Sequence, residues 1–315
     1  MRILVTGGLG FIGSNFIHHI IEKSEVELIV NIDSCTYAAN LGNLNITNSS
    51  KYKLINIQSD INNTALIKDI LNVNQITHVV HFAAESHVDN SIADPAAFIK
   101  SNINGTFSLL EAVRTQNRAI HFHHISTDEV FGSLGEEGLF TEKTPYSPRS
   151  PYSASKAASD HLVSAYHHTY GLPITMSNCS NNYGPRQHEE KLIPKIIKNL
   201  LSGKKVPIYG NGQNVRDWLY VDDHCSAIWT VLTNGKVSQS YNIGGNCERN
   251  NIQILDTICS LMNLKIENHI EYVEDRKGHD FRYAIDFSKI KTELDWTPKF
   301  SFTDGILKTL EYYAF

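Results

Sequence analysis

The sequence predicts an α/β protein with a Rossmann-type, doubly wound parallel sheet and a smaller C-terminal α/β substrate domain. Strand-length apolar runs alternate with helix-length segments through the first half of the chain, as they do in parallel sheets. The first of these runs leads directly into a glycine-rich turn. The length of 315 residues corresponds to roughly two domains, or to one large α/β unit with an added part.

The apolar runs predict six strands, which are Ile3–Thr6, Leu28–Ile32, Lys53–Ile57, His78–Phe82, Ile120–Ser126 and Ile174–Asn178. The intervening segments predict helices at Gly13–Lys23, Thr64–Asn72, Pro95–Thr115 and Tyr152–Tyr170. The Asn/Ser/Thr-rich stretch Asn43–Lys51 is predicted to be a loop.

Composition excludes several classes of protein. A net charge of -5 and a pI near 6.3 argue against a nucleic-acid partner or a polybasic membrane surface. No apolar run approaches the roughly 18 residues that a membrane span needs. Met1–Val5 runs straight into the glycine turn, so it is predicted to be a strand and not a signal peptide.

Cysteine and histidine usage bounds the location and the metal chemistry. The five cysteines are odd in number and form no C-x-x-C, which indicates reduced thiols and a cytoplasmic protein. The fifteen histidines include no H-E-x-x-H or comparable ligand spacing, so we predict no metal site.

The turn after the first strand has the pattern of a dinucleotide-binding motif. Its glycines permit a tight turn and a close approach of the backbone to a pyrophosphate, which then lies at a helix N-terminus. The turn lacks the G-K-[ST] of a nucleoside-triphosphate loop, which argues against a kinase or ATPase. The cofactor contacts predicted here are Gly7, Gly10, Phe11, Ile12 and Gly13.

Asp33 ends the second strand twenty residues later, where an acid hydrogen-bonds the adenosine ribose hydroxyls. Ser34 and Thr36 follow it without an arginine or lysine, so a 2′-phosphate would meet uncompensated negative charge, and NAD is favoured over NADP. The turns after the third and fourth strands supply further predicted cofactor contacts, which are Asp60, Ile61, Phe82, Ala83, Ala84 and Ser86.

Tyr152 and Lys156 lie one turn apart on the same face of a predicted helix. A nearby ammonium favours the phenolate, so we expect it to lower the tyrosine pKa from about 10 toward working pH. Such a phenolate can take a proton from a sugar or alcohol hydroxyl while a hydride leaves the same carbon. The alternative is a surface Tyr and Lys that share a helix face. The acidic pair Asp128–Glu129 follows the fifth strand, at the sheet edge where ligands bind.

These motifs together resemble the extended short-chain dehydrogenase/reductase superfamily. Within it, the chain is similar over nearly its whole length to the nucleoside-diphosphate-sugar 4,6-dehydratase family, and most similar to its dTDP-glucose-specific members. Beyond the residues above, the resemblance rests on Ala84–Asp89, Ser126–Gly132, Cys179–Pro185, Arg216–Val221, Tyr241–Asn246 and Gly278–Asp280.

The resemblance implies removal of water from a nucleotide-linked glucose, which gives a 4-keto-6-deoxy sugar on the way to deoxysugars such as rhamnose. It implies that Tyr152, with Lys156, deprotonates the C4 hydroxyl as NAD accepts the hydride, which later returns to C6. Glu129 is the implied base at C5 and Asp128 the implied acid at C6, since adjacent carboxyls can share a proton. The resemblance also implies that Thr127 hydrogen-bonds the reacting hydroxyl.

The resemblance also assigns binding residues and domain bounds. Asn182 is an implied cofactor contact. The implied substrate contacts are His87, Thr127, Asn181, Lys191, Leu192, Pro207, Tyr209, Arg216, Asn251, Arg276 and His279. The expected NAD-binding domain consists of residues 1–183 and about 219–246. The expected nucleotide-sugar-binding domain consists of residues about 184–218 and 247–315. A homodimer is expected through a four-helix bundle built from Pro95–Thr115 and Tyr152–Tyr170.

Three alternatives stay open. Arg186–Glu190 departs from the family pattern beside the expected nucleotide site, so UDP-glucose is an alternative to dTDP-glucose. The two bases differ by one methyl, which is worth only about 1–3 kcal/mol of discrimination.

A 4-epimerase of this fold would carry small or hydroxyl residues in place of Asp128–Glu129, so the pair favours a dehydratase. A non-catalytic NAD-binding regulator would have lost Tyr152, Lys156 or the acidic pair, and all are present.

Overall fold

The computed structural model describes residues 1–45, 54–275 and 280–314. Its strands are β1 Arg2–Thr6, β2 Leu28–Asp33, β3 Leu54–Gln58, β4 His78–His81, β5 His121–Thr127, β6 Ile174–Cys179, β7 Asn181–Tyr183, β8 Val206–Tyr209, β9 Val215–Tyr220, β10 Ser240–Ile243, β11 Glu248–Asn250 and β12 Ile270–Val273. Its α-helices are α1 Phe11–Ile20, α2 Thr64–Val73, α3 Val88–Ala93, α4 Pro95–Phe98, α5 Gly105–Arg114, α6 Pro151–Tyr170, α7 Leu192–Leu201, α8 Val221–Asn234, α9 Asn251–Leu261, α10 Ser288–Leu294 and α11 Phe302–Ala314.

The main sheet has seven strands in the order β10-β6-β5-β4-β1-β2-β3, and every neighbouring pair is parallel. The predicted α/β class and parallel sheet are confirmed, and each of the six predicted strands ends within one residue of its predicted end. Lys53, the predicted first residue of the third strand, and residues 46–51 of the predicted loop lie outside the described residues. The sequence analysis did not identify β10, which completes the edge beside β6.

The sheet is buried on both faces because alternate residues of each strand enter different cores. Ile3 and Val5 of β1 pack into a core that includes Phe16 of α1. Leu4 between them packs into the opposite core, which includes Leu109 of α5. Helices therefore cover both sides of the sheet, and the functional edge is the one where the parallel strands end.

The predicted helix Pro95–Thr115 is not a uniform α-helix. It contains α4, a π-helical segment Ile99–Asn104, and α5. The wider turns place the buried Asn102 side chain toward the chain after β4, where its Oδ1 accepts the Glu85 N–H at 2.8 Å and its Nδ2 donates to the Glu85 carbonyl at 3.0 Å. A periodicity of 3.6 residues does not anticipate this change in helix type.

The C-terminal part adds a three-stranded sheet in the order β11-β9-β7 and a two-stranded sheet of β12 and β8. Its helices share one apolar core with α1 and α8, since Ile193, Ile254 and Phe302 belong to the same buried cluster as Phe16 and Ile228. The proposed division into two domains stays a prediction. Over the residues that the structure describes, no helix combines the length and apolar composition needed to cross a bilayer.

Candidate active site

A cavity of about 470 Å³ opens at the carboxyl ends of the parallel strands. All predicted catalytic residues line it: Thr127, Asp128, Glu129, Tyr152 and Lys156. So do all predicted cofactor contacts, which are Gly7, Gly10, Phe11, Ile12, Gly13, Asp33, Ser34, Thr36, Asp60, Ile61, Phe82, Ala83, Ala84, Ser86 and Asn182, together with Tyr152 and Lys156. Residues far apart in the sequence therefore share one site.

The glycine turn between β1 and α1 is packed too tightly for side chains. Gly7 has a φ of +73°, and a Cβ there would lie 2.7 Å from the backbone nitrogen of Ala83. A Cβ on Gly13 would lie 2.4 Å from the carbonyl oxygen of Gly7. The backbone thus stays open at the N-terminus of α1, where unpaired N–H groups favour an anion.

Asp33 is fixed at the end of β2 by backbone donors. Its Oδ2 accepts the N–H of Leu9 at 2.9 Å, and its Oδ1 accepts the N–H of Cys35 at 2.8 Å. These bonds hold the carboxylate beside the glycine turn. A turn whose glycines leave the backbone accessible, followed by a fixed acid, fits a dinucleotide with a pyrophosphate and an adenosine ribose.

Tyr152 lies in the first turn of α6. Ser150 caps this helix through a reciprocal hydrogen bond with Ser153, and Pro151 occupies the first helical position. Lys156 is buried one turn later, and its Nζ donates to the carbonyl of Ile125 on β5 at 2.8 Å. The predicted arrangement on one helix face is present.

The prediction that the pKa of Tyr152 is lowered toward working pH is wrong. Burial, and then the negative charge of Glu129, raise the pKa of Tyr152 well above its ordinary value, against a lowering by a hydrogen bond with Thr127. Spacing along a helix reveals a neighbouring ammonium, but it does not reveal the cost of burying a phenolate.

The acidic pair begins the 3₁₀ turn Asp128–Phe131 directly after β5. The hydroxyl of Thr127 accepts the N–H of Glu129 at 3.3 Å, and Asp128 is only 1 % exposed. Oδ2 of Asp128 has no hydrogen-bond partner among the described residues. Burial, then the charges of Glu129 and Asp217, raise the pKa of Asp128 well above its ordinary value. The geometry therefore provides a buried carboxylic acid beside a second carboxyl.

The predicted substrate contacts divide into three groups. Thr127, Asn181 and Lys191 line the cavity, and Lys191 Nζ donates to the carbonyl of Ser86 at 3.0 Å. His87, at the N-terminus of α3, lies 3.8 Å from the carboxylate of Glu190, which lines the cavity. Five others lie on α7, β8, β9 and α9, outside the cavity lining: Leu192, Pro207, Tyr209, Arg216 and Asn251. Arg276 and His279 lie outside the described residues.

Arg216 connects the second sheet with the acidic pair. Its guanidinium donates to the carbonyls of Val215 at 2.7 Å and Asp280 at 3.0 Å, and it packs over the ring of Tyr283 at 4.3 Å. Its positive charge opposes the increase in the pKa of Asp128. Although it is outside the lining, Arg216 therefore acts electrostatically on the acid within it.

Sequence reasoning missed several polar lining residues. Lys100, on the π-helical segment, is 3.5 Å from the carboxylate of Asp60. Glu85 and Glu190 also line the cavity, and burial followed by the charge of Glu190 raises the pKa of Glu85. Both glutamates are next to predicted contact residues in the sequence, so they could have been identified from these neighbours. Lys100 has no such neighbour, and it lies on the π-helical segment that the sequence did not predict. Among the described residues, no cluster of His, Cys, Asp and Glu could bind a metal ion.

Comparison with known proteins identifies the family. A family model described as GDP-mannose 4,6 dehydratase matches residues 4–309. A dTDP-glucose 4,6-dehydratase from Xanthomonas campestris pv. campestris (strain B100) is 51% identical over 326 residues, covering 98% of this chain and 92% of the relative.

Solved structures agree in fold. That of dTDP-glucose 4,6-dehydratase from Bacillus anthracis str. Ames, in complex with NAD, has a TM-score of 0.92 and 46% identity, covering 100% of this chain and 96% of that one. A UDP-glucose 4-epimerase from Thermotoga maritima with UDP-glucose also has a TM-score of 0.92, at 28% identity, covering 100% and 99%. The fold alone thus does not separate the two activities. The chain belongs to the GDP-mannose 4,6 dehydratase family, and it is similar throughout its length to dTDP-glucose 4,6-dehydratases.

Proposed function

We propose that this chain is an NAD-dependent 4,6-dehydratase that converts dTDP-glucose to dTDP-4-keto-6-deoxy-glucose. The observation that carries the proposal is the buried acid Asp128, which lies beside Glu129 in the same cavity as Tyr152 and the glycine turn. Elimination of water needs both an acid and a base, whereas a 4-epimerase needs neither of these carboxyls. Relatives with this activity that are about half identical over nearly the full chain support the same conclusion.

The cofactor proposal follows from the turn after β1. Backbone N–H groups at the start of α1 bind the pyrophosphate, and Asp33 accepts hydrogen bonds from the adenosine ribose hydroxyls. A dinucleotide held there would supply the nicotinamide that accepts the hydride from C4 of the sugar and gives it back at C6. The crystal structure of the Bacillus anthracis relative, which contains NAD, supports this choice.

The first task of the protein residues is to remove the C4 hydroxyl proton. Tyr152 takes this proton, and Thr127 hydrogen-bonds the same oxygen and so orients it. Lys156, one turn along the helix, is proposed to supply positive charge that favours the phenolate. Burial and the charge of Glu129 oppose the phenolate, and the hydrogen bond with Thr127 favours it. The C4–H bond breaks as the carbonyl forms, which makes the neighbouring C5 hydrogen acidic.

The elimination uses the acidic pair. Glu129 takes the proton from C5, and the C6–O bond breaks as Asp128 gives its proton to the departing oxygen, which leaves as water. The raised pKa of Asp128 suits this role because the group must carry a proton at neutral pH. In the last step a proton returns to C5, the bound cofactor would supply the hydride to C6, and the C4 carbonyl remains in the product.

The remaining residues are proposed to bind the nucleotide and diphosphate. Lys191 and Arg216 supply positive charge for the diphosphate, and the guanidinium of Arg216 can form paired hydrogen bonds with phosphate oxygens. Tyr209 stacks on the base. The other proposed substrate contacts are His87, Asn181, Leu192, Pro207, Asn251, Arg276 and His279.

A homodimer is part of the proposal. Ile99 of the π-helical segment and Phe107 of α5 are 46 % and 49 % exposed, and both segments pack beside α6. Exposed large apolar side chains favour burial against a second copy. We expect Phe107→Glu to give a monomer in sedimentation measurements, while Phe281→Glu, at a similarly exposed site away from these helices, leaves the dimer intact.

A cytoplasmic location is also proposed. The five cysteines Cys35, Cys179, Cys225, Cys247 and Cys259 are all free thiols, as is usual in reducing compartments.

The test is a parallel incubation of the purified protein with dTDP-glucose and UDP-glucose, followed by product mass and rate. Loss of one water, faster with dTDP-glucose, supports the proposal. Faster loss of water from UDP-glucose would move the base preference to uridine, which the unusual segment Arg186–Glu190 makes worth testing. Reaction with neither sugar would contradict the proposed activity.

A further inference from the structure

A buried polar cluster lies on the same face of α6 as the proposed base. Tyr152, Lys156 and Asp160 follow each other at four-residue spacing, and all three are buried. The proposed reaction assigns tasks to the first two residues only. Asp160 is 2 % exposed, and a carboxyl group so deeply buried requires partners.

The carboxyl of Asp160 is bound by side chains from two other segments. Its Oδ2 accepts the hydroxyl of Ser126 on β5 at 2.7 Å and the hydroxyl of Tyr146 at 2.9 Å. Its Oδ1 lies 3.1 Å from Nε2 of His124, also on β5. Burial alone would raise the pKa of Asp160, but His124, then Lys156 and Ser126, lower it below its ordinary value. Asp160 is therefore a fixed, ionised carboxylate in the interior.

The neighbouring histidines are neutral. Burial lowers the pKa of His124 to about 4, and burial lowers that of His81 well below its ordinary value. His81 on β4 instead bonds two hydroxyls, those of Thr6 at 2.8 Å and Thr106 at 3.0 Å. Neither histidine carries a charge at neutral pH that would pair with Asp160.

The groups that face Lys156 identify its counter-charge. Cys179 on β6 is a neutral thiol, because burial raises its pKa to about 12. Glu111 on α5 is bonded to Tyr166, near the other end of α6. Burial lowers the pKa of Lys156, and the carboxylate of Asp160 one turn away is the foremost influence that opposes this.

We propose that Asp160 is a positioning residue, whose carboxylate, fixed by hydrogen bonds from Ser126 and Tyr146, keeps Lys156 in its charged form beside Tyr152. This inference rests on the proposed function of the Tyr152–Lys156 pair. Without the carboxylate, Lys156 would be a buried cation that lacks the main negative charge opposing its loss of a proton, and it would lose that proton more readily. Tyr152 would then lose the charge that favours its phenolate.

The test is a cycle of three variants: Asp160→Asn, Lys156→Met and the double variant. In Asp160→Asn we expect kcat at neutral pH to fall about tenfold with KM nearly unchanged, and the ascending limb of the kcat profile to move up by about one pH unit. The ascending limb moves to higher pH because a Lys156 that is charged less often leaves the pKa of Tyr152 higher. In the Lys156→Met background, Asp160→Asn should cause no further loss of kcat.

Thermal unfolding is the second readout and does not require activity. Asp160→Asn should lower the melting temperature by several degrees, and adding Lys156→Met should recover most of this loss, because no unpaired charge remains. If Asp160→Asn does not fold, the double variant still should. A control, Tyr146→Phe, removes one hydrogen bond but keeps the carboxylate, so its ascending limb should not move.

The proposal would be overturned if Asp160→Asn lowered kcat equally in the unmodified protein and in the Lys156→Met variant while the ascending limb of the kcat profile stayed in place. Asp160 would then be a purely structural residue. A double variant less stable than either single variant would also overturn the proposal. If the unmodified protein dehydrates no nucleotide sugar, the proposed function fails, but the unfolding cycle still decides whether the two charges are coupled.

Discussion

Two buried acids at the carboxyl ends of the sheet have opposite surroundings. Asp33, at the end of β2, accepts one backbone N–H on each carboxyl oxygen. Asp128, just after β5, has no hydrogen-bond partner on Oδ2 within the described part of the chain, and it is close to the charges of Glu129 and Asp217. Backbone donors fix the position of the Asp33 carboxyl group, whereas burial beside other carboxyls favours the protonated form of Asp128.

The difference assigns the two ends of the cavity to different tasks. A carboxylate fixed by the backbone suits binding of ribose hydroxyls, which change little during the reaction. A protonated acid suits proton transfer, in which the group must give up its proton and regain it. The three variants below test this contrast, in order of decreasing effect.

The largest effect is expected for Asp128→Asn, which keeps the side-chain shape but cannot supply an acidic proton. We expect kcat for dehydration to fall by about 10²–10⁴, the usual contribution of a general acid, with NAD binding unchanged. Steady-state kinetics and isothermal calorimetry measure the two quantities. The exposed Asp304→Asn on α11 is the matched control. A dehydration rate close to that of the unmodified protein would remove Asp128 from the mechanism.

A smaller effect, of a different kind, is expected for Asp33→Asn. The variant loses charged hydrogen bonds to the ribose, so we expect the Kd for NAD to rise about tenfold to a hundredfold. Because the proton-transfer groups are intact, kcat at saturating NAD should change little. Asp69→Asn, exposed on α2, should leave the Kd unchanged. If kcat falls while the Kd for NAD does not rise, Asp33 does not have the cofactor-binding role described.

The smallest effect is expected for Arg216→Gln, which acts on the contrast through charge. The positive charge of Arg216 lowers the pKa of Asp128, so its removal raises that pKa and the proton persists to higher pH. The descending alkaline limb of the kcat profile should therefore move to higher pH, and KM for dTDP-glucose should rise about tenfold as a phosphate contact is lost. Arg249→Gln, on the paired strand β11, is the control. A limb that moves to lower pH would contradict the assignment of Asp128.

The sequence predicted the parts of the site that depend on local patterns. The turn Gly7–Gly13 and Asp33 follow from a motif at fixed spacing, and α6 brings Tyr152 and Lys156 to one face as a helix must. The acidic pair was identified by its position after a strand. These features need no knowledge of distant residues.

The parts that the sequence did not predict depend on tertiary contacts. The direction of the Tyr152 pKa shift was wrong because desolvation outweighs the charges that spacing reveals. The role proposed for Asp160 depends on Ser126, His124 and Tyr146, none of which lies on its own helix. Lys100, which lines the site, lies on a π-helical segment that a period of 3.6 residues does not anticipate.

The central claim is that one cavity oxidises C4, eliminates water and reduces C6. Its most direct test is the mass and C4 configuration of the product formed from dTDP-glucose in heavy water. We predict loss of one water and one solvent deuterium bound to carbon, because the proton returned to C5 comes from a group that exchanges with solvent. A product of unchanged composition with inverted configuration at C4 would instead establish an epimerase and contradict the roles of Asp128 and Glu129.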